Sequence, residues 1–522
     1  MTTIESTSPS AVGAAGLTEK VSRATKAAQR YLLDIQQHQG WWKGELQTNV
    51  TMDAEDLMLR QFLGISDDRV TAGAARWIRS QQREDGTWAT FHGGPGDLST
   101  TIEAYVALKL AGDDPGASHM AKARGFVLEQ GGIAASRVFT RIWLALFGEW
   151  SWRALPVMPP EMIFLPSWFP LNVYDWGCWA RQTVVALTAV TALRPVRELG
   201  VSLDELHTAG RVPKKTVRLS IGGAFEGLDW VLHQHEKLPL KPLRSTALRQ
   251  VAEWIVARQE ADGGWGGIQP PWVYSIMALH LMGYSLDHPV LRKAIEGLDG
   301  FVITEQTEAG AVRRLEACQS PVWDTALALN GLLDAGIDPG HDGVRRATDW
   351  LVGEEIRVRG DWAVRRGDLD PGGWAFEFAN DNYPDTDDTA EIVLALRRSA
   401  TAKTPAVAGA IDRAITWLIG MQSADGGWGA FDADNTRELC TKLPFCDFGA
   451  VIDPPSADVT AHVVEMLAAA GKSGEQVTRR GVRWLLRHQE PDGSWFGRWG
   501  ANYVYGTGAA VPALVRAGIE PT

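Results

Sequence analysis

Asp385-Thr386-Asp387-Asp388 places three carboxylates within four residues, directly after Pro384 and directly before the apolar helical run Thr389 to Leu396. One Asp at a helix start is an ordinary N-cap, because its oxygen accepts a free amide and suits the positive end of the helix dipole. Three exceed that need. Like charges this close cannot all ionise, so one carboxyl is held protonated at neutral pH, which is what a general acid requires. Farther on, Pro454-Pro455-Ser456 reads as a second helix start. Asp458 then lies four residues before His462 on one helical face, able to hold the imidazole charged. A lone His is more often a satisfied core residue, and spacing alone does not separate these readings.

The elements that must carry these groups announce themselves through tryptophan, of which there are 23. An aromatic, a Gln five residues later and a Trp six beyond that recur at Tyr31-Gln36-Trp42, Trp77-Gln82-Trp88, Trp254-Gln259-Trp265, Trp417-Gln422-Trp428 and Trp484-Gln489-Trp495. Four copies carry Asp-Gly before the last Trp, as at Asp85-Gly86 and Asp425-Gly426. Each begins inside an apolar helical pattern, reaches Gln near the helix end and turns at Asp-Gly. The Gln is expected to bond orphan backbone groups at the helix terminus while the Trp ring covers it. Strand alternation is scarce, and repeated helix hairpins predict an all-α fold of two α/α barrels.

Composition narrows the function. Fifty-one basic against 63 acidic residues, a net charge of −12, argue against nucleic acid as a partner. Cys178, Cys318, Cys440 and Cys446 have no paired spacing, so no disulfide framework and no zinc cluster are expected, and a reducing cytoplasm fits. Met1 to Gly16 reads as a disordered leader without signal-peptide organisation. No apolar run reaches the ~18 to 20 residues of a spanning helix. Leu155 to Pro170 is apolar and too Pro-rich for a regular helix, and the basic stretch Pro213 to Arg218 precedes a helix-like segment Ala224 to Leu232. Basic residues beside an apolar helical face suit an interfacial membrane anchor, and core packing is the alternative.

Taken together, the acid cluster and the repeats strongly resemble squalene–hopene cyclases and, more broadly, class II terpene cyclases. The matching stretches include Gly266 to Trp272, Ser320 to Asp324, Pro371 to Phe376, Tyr383 to Thr389, Gly426 to Asn435, Pro444 to Gly449, Asp453 to His462 and Ser494 to Trp499. The resemblance implies two α/α barrels, the catalytic one interrupted by the other: residues 1–27 a leader and the start of the catalytic barrel, 28–315 the inserted barrel with a membrane-facing region near Phe225 to Leu232, and 316–522 the rest of the catalytic barrel. About seven helical runs follow Leu315, fewer than a closed ring of hairpins needs, so the catalytic barrel is expected to be incomplete, as if truncated at its C-terminus.

By the same resemblance the reaction is proton-initiated cyclisation of squalene, or a similar polyprenyl lipid, to hopene or hopanol, with no metal and no organic cofactor. Asp387 is the implied proton donor, Asp385 and Asp388 the supporting carboxylates and His462 the partner that sets its acidity. The implied cavity wall is Trp179, Ile268, Trp323, Phe376, Phe431 and Trp499, where aromatic faces would stabilise cations. Termination is implied at a water network near Glu55, Glu103, Arg137, Trp143 and Gln269, and lipid entry at Trp176, Val184, Phe445 and Cys446. A homodimer seated from one side on the cytoplasmic face of a membrane completes the expectation. Three alternatives stand beside it: a class II cyclase of a prenyl diphosphate, making a copalyl- or drimenyl-type product; a non-catalytic α/α scaffold, alone or with a separate C-terminal piece; and a prenyltransferase-like barrel, which needs a zinc ligand set that is not visible.

Overall fold

A computed structural model describes residues 11–208, 227, 229, 232–234, 236, 241–443, 445–446 and 449–520. The basic stretch Pro213 to Arg218, most of Ala224 to Leu232 and the first ten residues of the leader lie outside the described residues. The first helix, Ala11–Ile35, begins inside the stretch read as a disordered leader. Its alanines, the strongest helix formers, outweigh the Ser and Thr that suggested disorder.

The Trp and Gln of each repeat set the hairpins. Indole Nε1 of Trp88, Trp265, Trp428 and Trp495 donates to a carbonyl ten residues earlier, those of Ile78, Ile255, Leu418 and Leu485, at 2.7 to 2.8 Å. The Gln amide donates to the carbonyl of the turn glycine and, in four copies, also to the adjoining hairpin: Gln36 to Gly343, Gln82 to His119, Gln259 to Val290 and Gln422 to Val477. The indole therefore satisfies the helix end itself, and the Gln links one hairpin to the next. The turn glycine must take a positive φ: Gly263 sits at φ +96°, and a Cβ there would meet the Lys293 carbonyl oxygen at 2.3 Å.

Stacked hairpins give two units with separate cores. In the first, Thr51–Leu63, Leu98–Leu110, Val138–Leu146, Cys178–Leu193 and Gln269–Leu281 lie inside, and Gln269–Leu281 packs on both Cys178–Leu193 and Thr51–Leu63. Asp68–Ser80, Ser118–Glu129, Arg244–Val256 and Pro289–Asp299 back it from outside. Sequence follows position: Leu98–Leu110 is buried continuously from Ser99 to Leu108, while Pro289–Asp299 buries only the stripe Leu291, Ala294 and Leu298. An antiparallel hairpin, Val302–Thr307 with Gly310–Leu315, seals one end, its Arg313 reaching Asp56 Oδ2 at 2.7 Å.

In the second unit the inner helices Pro321–Asp334, Thr386–Leu396, Ala457–Ala469 and Asn502–Arg516 stand side by side, each packed on the next. Asp342–Gly353, Pro405–Gly420 and Gln476–Arg487 lie outside them. The expected crossover at residue 28 is displaced. Leu32, Leu33 and Trp42 pack in the second core, and Val50 is the first residue buried in the first. The cause is Trp42, whose amide donates to Thr325 Oγ1 in the second unit, as the amides of Trp88 and Trp428 do to Thr101 and Thr460.

Candidate active site

Asp385 is the N-cap of Thr386–Leu396: its Oδ1 accepts the Asp387 amide at 2.7 Å. Its own amide donates to the Trp374 carbonyl, and Thr386 donates through backbone and hydroxyl to the carbonyls of Ala430 and Gly429. One carboxylate thus satisfies the helix start, and Thr386 fastens the loop that carries Phe431. Asp387 and Asp388 are left over, both buried in the first turn.

Asp387 Oδ1 lies 2.6 Å from His462 Nδ1, and Glu391 Oε1 lies 4.0 Å from the other ring nitrogen. Burial opposes charge on the imidazole, but Asp387, Glu391 and Asp458 override it and raise the His462 pKa to about 10. The ring is a cation at neutral pH and donates to Asp387. Burial, reinforced by mutual repulsion, pushes the carboxyls of Asp385 and Asp388 well above the usual range. Asp388 Oδ1 is buried without a hydrogen-bond partner among the described residues.

Asp458, expected to hold the imidazole charged from four residues away, does so through its field and not by contact. Asp458 Oδ1 accepts from the Ser456 hydroxyl at 2.5 Å and Oδ2 from the Trp499 amide at 2.7 Å. Two short bonds to fixed donors outcompete an exchange with a ring that already holds Asp387, so Asp458 acts on His462 through its field and positions Trp499 directly.

These acids open on a cavity of about 760 Å³ between the two units, within the ~300 to 1,000 Å³ of small-molecule sites. Its wall includes Asp385, Asp387 and Asp388 together with Trp179, Ile268, Trp323, Phe376, Phe431 and Trp499, so every expected wall residue meets the acid motif there. Trp179, Phe431 and Trp499 form an edge-to-face trio with centroids 5.6 to 6.1 Å apart. Trp323 lies against His462 at 6.2 Å. Asp453 holds Phe431 in place by accepting the amides of Ala430, Phe431 and Asp432.

The family model described as Squalene-hopene cyclase N-terminal domain matches residues 25–307, and that of the Squalene-hopene cyclase C-terminal domain matches residues 319–522. The chain belongs to the squalene–hopene cyclase family. It is 46% identical to the squalene–hopene cyclase of Alicyclobacillus acidocaldarius over 95% of this chain and 79% of that protein. Identity is 41% to the squalene–hopene cyclase of Zymomonas mobilis, over 95% of this chain and 77% of that protein, and 38% to that of Schizosaccharomyces japonicus, over 96% and 78%.

Two other groups of expected residues in this cyclase-family chain lie away from the cavity wall. Glu55, Glu103, Trp143 and Gln269 do cluster, but buried in the first unit behind Ile268, with Gln269 next in the chain and the half-exposed Arg137 beside them. Burial and Glu103 push the Glu55 carboxyl well up, and burial lifts Glu103 to about 7. Glu103 Oε2 is buried without a protein partner among the described residues, and Trp143 and Gln269 lie within reach of Glu55, a polar cluster that calls for ordered water. Of the expected entrance, Trp176 and Val184 are buried in the first core, Cys446 is half-buried against it, and Phe445 lines a separate apolar pocket of about 180 Å³ with Met162, Leu165 and Leu443.

Sequence reasoning missed Cys178, Cys318, Glu377, Asn380, Arg498 and Tyr505 on the wall. Glu377 and Phe376 are neighbours, and a carboxylate next to a wall aromatic was the available signal.

The charge held on His462 has a measurable signature. The ring titrates near 6.5 when unfolded and at about 10 here, so its contribution to stability is complete below about pH 6.5 and is lost as pH rises through about 10. Urea midpoints are expected to fall between about pH 7 and 10, and less so in His462→Asn. Equal slopes in the two proteins would refute the pairing.

Proposed function

We propose that this chain cyclises squalene to hopene by protonating a terminal double bond at Asp387. The observation that carries the reading is the buried Asp387–His462 pair at the wall of an aromatic-lined cavity. An unactivated alkene needs a strong acid, and a neighbouring imidazolium strengthens one by stabilising the carboxylate left behind. The Asp387 O–H bond breaks, a C–H bond forms and a tertiary cation remains. Successive alkenes attack it, and the faces of Trp179, Phe431 and Trp499 stabilise the positive charge as it moves. Loss of a proton from the last cation gives hopene, and capture of water followed by loss of a proton gives hopanol.

The diphosphate alternative is disfavoured because no free cation lines the cavity: Arg498, its one cation among the described residues, is engaged with the Ile452 carbonyl and the rings of Trp179 and Trp499. Incubating the purified chain with squalene and, separately, with geranylgeranyl diphosphate decides the matter by mass spectrometry of the products. Pentacyclic hydrocarbon from squalene is expected; product from the diphosphate alone would overturn the reading.

The same reading seats the chain on one face of a membrane, on the cytoplasmic side. Support comes from Phe164, Trp168 and Phe169, all exposed beside the apolar pocket that holds Phe445. No described helix is long and apolar enough to cross a membrane. All four cysteines are free, which favours a reducing compartment.

A further inference from the structure

One part of the cavity wall makes no hydrogen bond to the Asp387–His462 pair. Glu377 and Asn380 both line the cavity and both are buried, at 7% and 2% exposure. The Asn380 amide nitrogen donates to Glu377 Oε2 at 3.0 Å, while Asn380 Oδ1 has no partner among the described residues. The Glu377 carboxyl lies directly on the turn before Ile268: Gly267 has φ +63°, and a Cβ there would meet the carboxyl at 2.3 Å. Any other residue at 267 would displace Glu377 from the wall. The pair is therefore built in by the backbone of the opposite unit, in an otherwise mostly apolar and aromatic wall.

Its chemistry is specific. Burial raises Glu377 to about 8, so the carboxyl is protonated at neutral pH and offers an O–H donor next to the unused Asn380 acceptor. One donor beside one acceptor complements a hydroxyl, which has one of each. An ammonium has donors only, and an anion has acceptors only and would leave Asn380 Oδ1 unmatched. We propose that Glu377 and Asn380 form a hydroxyl-recognising station in the cyclisation cavity, which makes linear isoprenoid alcohols ligands of this chain and distinguishes them from hydrocarbons of the same skeleton. An unmatched acceptor is left behind when a hydrocarbon fills the site, and that difference is the source of selectivity.

The proposal rests on the reading of this cavity as the substrate site, but binding tests it without turnover. A saturated linear isoprenol and the alkane of the same skeleton, neither able to react, are titrated in matched detergent against the full chain, with the shift in denaturation midpoint as readout. The alcohol is expected to bind about tenfold more tightly than the alkane. That preference is expected to vanish in Glu377→Leu, fall in Asn380→Leu and survive in Glu377→Gln, which keeps a donor and an acceptor. Equal binding of the two ligands by the unaltered chain, or a preference that persists in Glu377→Leu, would overturn it and leave the pair as a holder of water. If the preference follows Glu377 while squalene is not turned over, the station stands and the cyclase reading fails.

Discussion

Asp387→Asn is expected to lower squalene turnover by more than about 10³-fold while leaving the fold intact. The amide has the shape of the acid and keeps an oxygen to accept the His462 N–H, now held at 2.6 Å. The Asp387 amide still donates to Asp385 Oδ1, so the helix start is undisturbed. What disappears is the transferable proton and the negative charge that balances His462 once the proton has left. Gas chromatography of squalene incubations measures the loss, and circular dichroism with urea denaturation checks the fold. Retention of more than about a tenth of the activity would remove Asp387 as the acid, because no general-acid contribution of ordinary size leaves so much behind.

The acid motif was legible because its chemistry is local: three carboxylates at one helix start overdetermine the cap, whatever surrounds them. The repeats were legible for a related reason. The distance from Gln to Trp is fixed by one helix end and one glycine turn, Asp-Gly in four of the five copies that repeat it. Trp42 shows where local pattern stops. It has the same spacing as Trp88, yet it packs in the second core because its hydroxyl acceptor, Thr325, lies 283 residues away. Asp458 was legible only in part: its charge supports His462 as expected, but its place on a helix says nothing of the Trp499 amide that reaches it. The cavity wall draws on segments near 178, 266, 318, 376, 430 and 498, and only the family resemblance joined them. Glu377 and Asn380 escaped even that, because a buried polar pair is defined by what lies across from it.

The second large effect is expected at Arg181, which sequence reasoning passed over. This guanidinium is 1% exposed. It binds Asp361 Oδ2 at 3.1 Å and Asp432 Oδ2 at 2.6 Å, both on the second unit, and the carbonyls of Val173 and Trp176 on the first. Arg181 stands two residues after Trp179, and Asp432 directly follows Phe431, so the bridge holds two members of the aromatic trio together across the junction. Arg181→Met keeps most of the apolar stem and removes the charge. Asp361 then retains Arg258 at 2.6 Å and the Tyr383 hydroxyl at 2.5 Å, but Asp432 becomes a buried carboxylate that has lost its hydrogen-bonded cation. Breaking a buried pair from one side costs about 3–5 kcal/mol. Urea denaturation followed by tryptophan fluorescence is expected to show that loss. Adding Asp432→Asn should recover a large part of it, because removing both charges eliminates the unpaired one. Strictly additive losses in the double variant would show that Arg181 stabilises the junction by packing alone. Turnover supplies a second readout: the bridge is expected to matter for cyclisation in the single variant, where Phe431 and Trp179 lose their common anchor, and to be partly restored in the double.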